Sequence, residues 1–177
     1  MSHKNTQAFL DWTDTLPKQE KVYALTIHEY LISKGIKPRM YNDVNFQYWY
    51  KGNRVIYLRK NTGRNTPLDI AIPYGLKGKV DDIHSFVVTC MGETDENKLV
   101  QYIIANICCC NRCGNKPPKK CDGHWTEFAG VRRKLSGCNR AITKQKAPKA
   151  KLKYTDDDLY WLKRLIDIKI KQILQFN

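Results

Sequence analysis

Residues 46–59 read Phe46-Gln47-Tyr48-Trp49-Tyr50-Lys51-Gly52-Asn53-Arg54-Val55-Ile56-Tyr57-Leu58-Arg59. In this stretch a helical period gives way to a period of two. Phe46, Tyr48 and Tyr50 alternate with Asn45, Gln47 and Trp49, the pattern of a strand with one buried face. Lys51-Gly52-Asn53-Arg54 reads as a turn, and Val55-Ile56-Tyr57-Leu58-Arg59 as the returning strand of a hairpin. Asn61 to Thr66 reads as a loop, after which Leu68, Ile70 and Ile72 alternate and predict a third strand ending at Pro73.

Upstream, helical spacing dominates. A short helix is expected over residues 6–13, carrying Phe9, Leu10 and Trp12, and Leu16-Pro17 interrupts it. A second helix is expected over 18–34, with Val22, Leu25, Glu29 and Ile32 at helical intervals and Gly35 as its stop. Downstream, Ile83, Phe86, Val87 and Cys90 fall at i, i+3, i+4 and i+7 behind Asp81 and Asp82. Thr94-Asp95-Glu96 opens a further helix along Leu99, Ile103 and Ile107. Near the end, Thr155-x-x-Asp158 has the form of a capping box with Asp in place of Glu. Leu159, Leu162, Ile166, Ile170 and Ile173 then make a core-facing stripe, with Lys163, Arg164, Lys169 and Lys171 expected on the remaining faces. These elements together predict an α+β fold: helices packed on a small antiparallel sheet, closed by a C-terminal helix.

The segment from Phe9-Leu10-Asp11-Trp12 through Leu16-Pro17, the following helix and the hairpin Tyr50-Lys51-Gly52-Asn53-Arg54-Val55-Ile56-Tyr57 resembles small uncharacterised bacterial proteins of the YdhG-like type. The resemblance implies an α+β domain with a helix on a curved antiparallel sheet. It implies no activity and no functional residue, and the cysteine-rich segment that follows has no place in it.

That segment is the main chemical signal. Cys108-Cys109-Cys110-Asn111-Arg112-Cys113-Gly114 is followed by Cys121, His124 and Cys138, which leaves only Cys90 of the seven cysteines elsewhere. Cys110-x2-Cys113-Gly114 has the form of a zinc knuckle, in which two thiolates reach one metal from a tight turn. A hairpin expected over 125–135, turning near Ala129-Gly130, would bring its flanks together and with them Cys121 and Cys138. Cys110, Cys113, Cys121 and Cys138 are therefore the expected ligands of a structural zinc, with His124, Cys109 and Cys108 as alternates. An iron–sulfur cluster is the other metal reading, and packed thiols the non-metal one. Four thiolates leave no open coordination position, which argues against a zinc hydrolase.

Charge concentrates on the same segment. The chain carries +14, and residues 112–153 hold thirteen Lys and Arg against Asp122 and Glu127, a net +11. Such a zone attracts polyanions, namely nucleic acid of either sugar type, an acidic membrane or an acidic protein, and the plainer alternative is a solvated basic face. Lys119, Lys120, Arg132, Arg133, Lys134, Arg140, Lys144 and Lys146 are the expected phosphate contacts. The expected organisation is an α+β core (1–107), a cysteine-rich zinc module (108–140), a basic linker (141–153) and a C-terminal helix (154–177) packing back on the core. No long apolar run predicts a membrane span and no signal-peptide core is visible, so a cytoplasmic location is expected, where thiols stay reduced.

No Ser/His/Asp order, phosphate loop or nucleotide-binding glycine pattern is present. His28 and His84 lie in expected helices with no partner legible from sequence. The sequence thus favours a non-enzymatic, zinc-stabilised nucleic-acid-binding protein. The alternative is a small-molecule sensor whose ligand pocket is lined by Tyr48, Trp49, Tyr50 and Tyr57, aromatics that on a sheet either meet a ligand, stack with bases or fill the core. A third reading is a thiol- or metal-dependent enzyme, since basic neighbours lower a thiol pKa.

Overall fold

The computed structural model describes residues 3–42, 45–60, 67–76, 83–107, 125–128, 130–134, 141–143 and 154–176. Helix α1 (His3–Asp14) and helix α2 (Lys18–Ser33) form the expected N-terminal pair. Pro17, at φ −57° and ψ 154°, is the extended residue that separates them. Gly35 ends α2 at φ +73°. Its N–H reaches the Ile32 carbonyl at 2.9 Å, and that of Ile36 reaches the Leu31 carbonyl at 2.9 Å, the paired bonds of a Schellman cap.

Five strands follow in an antiparallel sheet of order β1-β2-β3-β4-β7: β1 (Lys37–Asn42), β2 (Asn45–Tyr50), β3 (Asn53–Lys60), β4 (Leu68–Pro73) and β7 (Ala141–Thr143). Strands β2 and β3 are the expected hairpin, but their turn is tighter than its sequence suggests. Lys51 (φ 43°) and Gly52 (φ 75°) alone form it, with Tyr50 opposite Asn53. Two successive positive φ values are those of a type I′ turn, whose twist matches that of the flanking strands. Arg54 therefore belongs to β3, opposite Trp49. Ile56 stands opposite Tyr48, so Val55 is an extra residue that makes a bulge.

Two strands were not expected. Strand β1 hides behind Pro38 and the charges of Lys37 and Arg39, features that suit an edge strand, where a missing N–H goes unnoticed and charge blocks further pairing. Strand β7 falls in the segment assigned from sequence to a basic linker. Ala141, Ile142 and Thr143 instead pair with Pro73, Ile72 and Ala71, and all three are buried. The linker expectation thus fails at its first three residues.

Helix α3 (Ile83–Cys90) and helix α4 (Glu96–Asn106) follow β4, and Ile107 bridges to Ile142 as α4 ends. Asp95 precedes α4 in a left-handed conformation with no side-chain cap. Strands β5 (Trp125–Phe128) and β6 (Val131–Lys134) pair as a separate two-stranded hairpin, with Gly130 at φ +70° in the turn that sequence placed there. Helix α5 (Asp156–Phe176) closes the chain. Its capping box is formed: the Asp158 N–H donates to Thr155 Oγ1 at 3.2 Å, and the Thr155 N–H donates to Asp158 Oδ2 at 2.8 Å. None of these helices is long and apolar enough to cross a membrane.

One face of the sheet meets the helices. The ring of Phe46 packs on Phe9 and Trp12 of α1, with centroids 5.2 Å and 5.3 Å away. Tyr48 meets His28 of α2. Helix α5 lies beside α2, where the Tyr30 hydroxyl donates to Asp167 at 2.6 Å, and α3 and α4 pack on α5. Between the layers lie Ile27, Leu31, Ile56, Leu58, Ile70, Ile72, Phe86, Leu165 and Ile166, all buried. The α+β architecture with a C-terminal helix docked on the core is therefore as read from sequence.

Candidate nucleic-acid interface

The expected metal ligands Cys108, Cys109, Cys110, Cys113, Cys121, His124 and Cys138 lie outside the described residues, as do Lys119, Lys120, Arg140, Lys144 and Lys146. Among the described residues no group of His, Cys, Asp and Glu gathers in a way that could hold a metal. Cys90, the described cysteine, is buried, with its thiol donating to the Phe86 carbonyl at 3.4 Å. Burial, and secondarily the charges of Glu93 and Glu96, push that thiol up to about 12, so it is a packed, unreactive group.

Arg132, Arg133 and Lys134 occupy strand β6. Antiparallel pairing sets them opposite Glu127, Thr126 and Trp125. Arg132 and Glu127 are both exposed. The hairpin thus carries the three consecutive basic residues on one strand, with a single facing carboxylate.

The four aromatics proposed from sequence to line one pocket divide between the two faces of the sheet. Tyr48 is fully buried on the helix side, with its hydroxyl 2.8 Å from Nδ1 of His28. The His28 ring stacks on Phe9 at 4.1 Å, so this histidine is a satisfied core residue, and burial lowers its pKa. Tyr50 also packs against the core. Trp49 and Tyr57 fall on the opposite face, because side chains alternate along a strand and the register aligns them with Gln47 and Arg39.

That opposite face, across β1–β3, is basic and aromatic. The register places Lys37, Arg39, Gln47, Trp49, Arg54, Tyr57 and Arg59 on it. The Arg39 guanidinium lies over the Trp49 ring at 6.0 Å, and that of Arg54 over the Tyr57 ring at 5.2 Å. Lys37 and Arg39 are exposed, and Trp49, Arg54 and Tyr57 half-buried. Arg59 pairs with Asp69 at 2.6 Å, and Asp69 also accepts from Thr143 Oγ1 at 2.6 Å. The signal for this face was present in the alternation of Lys37 and Arg39 with Pro38 and Met40. The proline masked it.

Sequence also misplaced Lys169, expected on a solvated face of α5. It is fully buried. Its Nζ lies 5.9 Å from the centre of the Phe86 ring and donates to the Gly75 carbonyl at 2.7 Å and to Gln172 Oε1 at 2.8 Å. Burial, with help from the charge of Arg54, lowers its pKa to about 7. Gln172 in turn donates to the Tyr74 carbonyl at 3.1 Å and to Ser85 Oγ at 3.0 Å. This network fastens the end of β4 to α3 and α5.

No protein-family model, no curated protein and no solved structure matches this chain.

Proposed function

We propose that this is a non-enzymatic nucleic-acid-binding protein whose cysteine-rich segment is stabilised by zinc. The observation that carries the reading is the β5–β6 hairpin, which sets Arg132, Arg133 and Lys134 on one short strand, within the stretch of sequence, residues 112–153, that holds most of the net positive charge. A backbone bearing regularly spaced phosphates is the polyanion that such a strand suits, and contacts of this kind give affinity with little sequence choice. Zinc held by Cys110, Cys113, Cys121 and Cys138 would join the two flanks of that hairpin and fix its direction.

The test is replacement of Arg132, Arg133 and Lys134 by Ala in the zinc-loaded protein, followed by titration of labelled DNA and RNA. The reading predicts weaker binding and a salt dependence shallower by roughly two to three units of log–log slope. Unchanged affinity would remove the hairpin from the account.

A further inference from the structure

We infer that Lys169 is a pH-operated latch. Its neutral amine ties α5 to the end of β4 and, through Gln172, to α3; protonation frees these two elements while α1, α2 and β1–β3 stay folded. The inference goes beyond the nucleic-acid reading and stands without it.

The argument starts from the hydrogens on Nζ. A neutral amine has a pair of N–H groups, and Lys169 has a matching pair of acceptors, the Gly75 carbonyl at 2.7 Å and Gln172 Oε1 at 2.8 Å. Both acceptors are neutral. An ammonium has one more N–H and a full charge to satisfy. Among the described residues no carboxylate bonds to this nitrogen, and its further neighbour is the Phe86 ring at 5.9 Å, the limit of cation–π reach. The side chain is fully buried. A charge buried without a counter-ion is costly, and the group relieves the cost by losing its proton or by moving to water.

The charges on the surrounding elements do not offset that cost. Strand β3 presents Arg54, a cation that opposes a second positive charge nearby. Helix α3 presents Ser85 and Phe86, with His84 on its exposed side and the Cys90 thiol held protonated by burial. The end of β4 presents backbone carbonyls and the buried Tyr74. Carboxylates on the packed elements are engaged elsewhere. Asp69 holds Arg59, Asp158 accepts from Tyr102 of α4, Asp167 meets Tyr30 and Lys34 of α2, and Glu93 meets Arg164 and Lys171. Asp156 and Asp157 are exposed at the start of α5, about three turns away.

Protonation acts locally because of what the network holds. Tyr74 and Gly75 lie past Pro73, the last ladder residue of β4, and their carbonyls accept from Gln172 and Lys169. Gln172 also donates to Ser85 of α3. Helix α3 has eight residues, too few to stand alone, so it depends on its packing against α5. When a charged Lys169 turns toward water, the Gly75 carbonyl and Gln172 Oε1 lose their donor together. The N-terminal helices and β2 have no part in this network and hold one another through Phe9, Trp12, His28, Phe46 and Tyr48.

The experiment is amide hydrogen exchange of the full chain between pH 6 and pH 9, corrected for the intrinsic exchange rate. Lys169→Met and the control His84→Gln are compared with the unmodified protein. The carbon shift of Lys169 Cε, followed by NMR over the same range, reads the proton itself. We expect protection of residues 74–76 and 83–90 to fall by about 10–50-fold from pH 9 to pH 7 and to level off below, in the unmodified protein and in His84→Gln. Helix α2 and strands β2 and β3 should change by less than about threefold, and Lys169→Met should remove the fall. An equal fall in every element overturns the latch, because that is global unfolding. No fall overturns it too. A fall that persists in Lys169→Met, or that His84→Gln abolishes, assigns the effect to another group and overturns it as well. If Lys169→Met does not fold, the Cε shift decides: a step near pH 7 alongside the local fall supports the latch, and a flat shift from pH 6 to pH 9 overturns it.

Discussion

The Nζ of Lys169 lies 2.7 Å from the carbonyl oxygen of Gly75, in a part of the interior where its other acceptor is a neutral amide, Gln172 Oε1 at 2.8 Å. Its folded pKa of about 7 stands well below the 10.5 of a lysine in water. Between those values the unfolded chain binds a proton that the folded chain does not, so this group makes stability rise with pH across that interval, by at most about 1.4 kcal/mol per unit. Below pH 7 the cost of burying the charge is present in full. Denaturant unfolding at several pH values from 7 to 9.5 should show this slope in the unmodified protein and a flatter one in Lys169→Met. Parallel curves for the two would show that Lys169 does not titrate in this range.

Asp158 serves two partners at once. It completes the cap of α5 with Thr155 and accepts from the Tyr102 hydroxyl at 3.1 Å, joining α5 to α4. Thr155→Ala should cost about 1 kcal/mol, the usual value of a lost cap. Asp158→Ala should cost more, about 2–3 kcal/mol, because it also leaves the half-buried Tyr102 hydroxyl without this acceptor. Equal losses in urea unfolding would mean that the Tyr102 bond contributes nothing.

The β2–β3 turn depends on Gly52 at φ 75°. Open space surrounds the position where a Cβ would sit, so any penalty is conformational and not a clash. Gly52→Ala should destabilise by about 1–2 kcal/mol. A neutral result by thermal unfolding would indicate that the turn adopts another form.

Zinc content tests the cysteine reading directly. Protein purified without added chelator should carry one zinc per chain, released on thiol modification of Cys110, Cys113, Cys121 and Cys138. Chelation should weaken nucleic-acid binding while leaving the far-ultraviolet signal of the helices in place. A metal-free native protein with full binding activity would refute the zinc assignment.

Most of the fold was legible in the sequence because its signals are local. Gly35 stops α2, Thr155 and Asp158 start α5, and the alternation of Phe46 and Tyr48 marks β2, each within a few residues. The misses have a common cause: the decisive partner is distant in sequence. Ala141–Thr143 is too short to announce a strand, and becomes one because β4 offers it a free edge. Lys37–Asn42 reads as a broken, charged segment until β2 pairs with it. Lys169 looks solvated until Gly75, nearly a hundred residues earlier, supplies its acceptor. The division of Tyr48 and Trp49 between opposite faces follows from alternation, but which face the helices cover does not. The Arg39–Trp49 and Arg54–Tyr57 pairs become visible only with the register.

The central claim, that this chain binds nucleic acid through phosphate contacts, is tested most directly by the affinity of the zinc-loaded protein for short labelled DNA and RNA across a salt series. The account predicts binding at low salt that falls linearly and steeply with salt on a log–log plot. Absence of binding to either probe at low salt, or an affinity indifferent to salt, would contradict it.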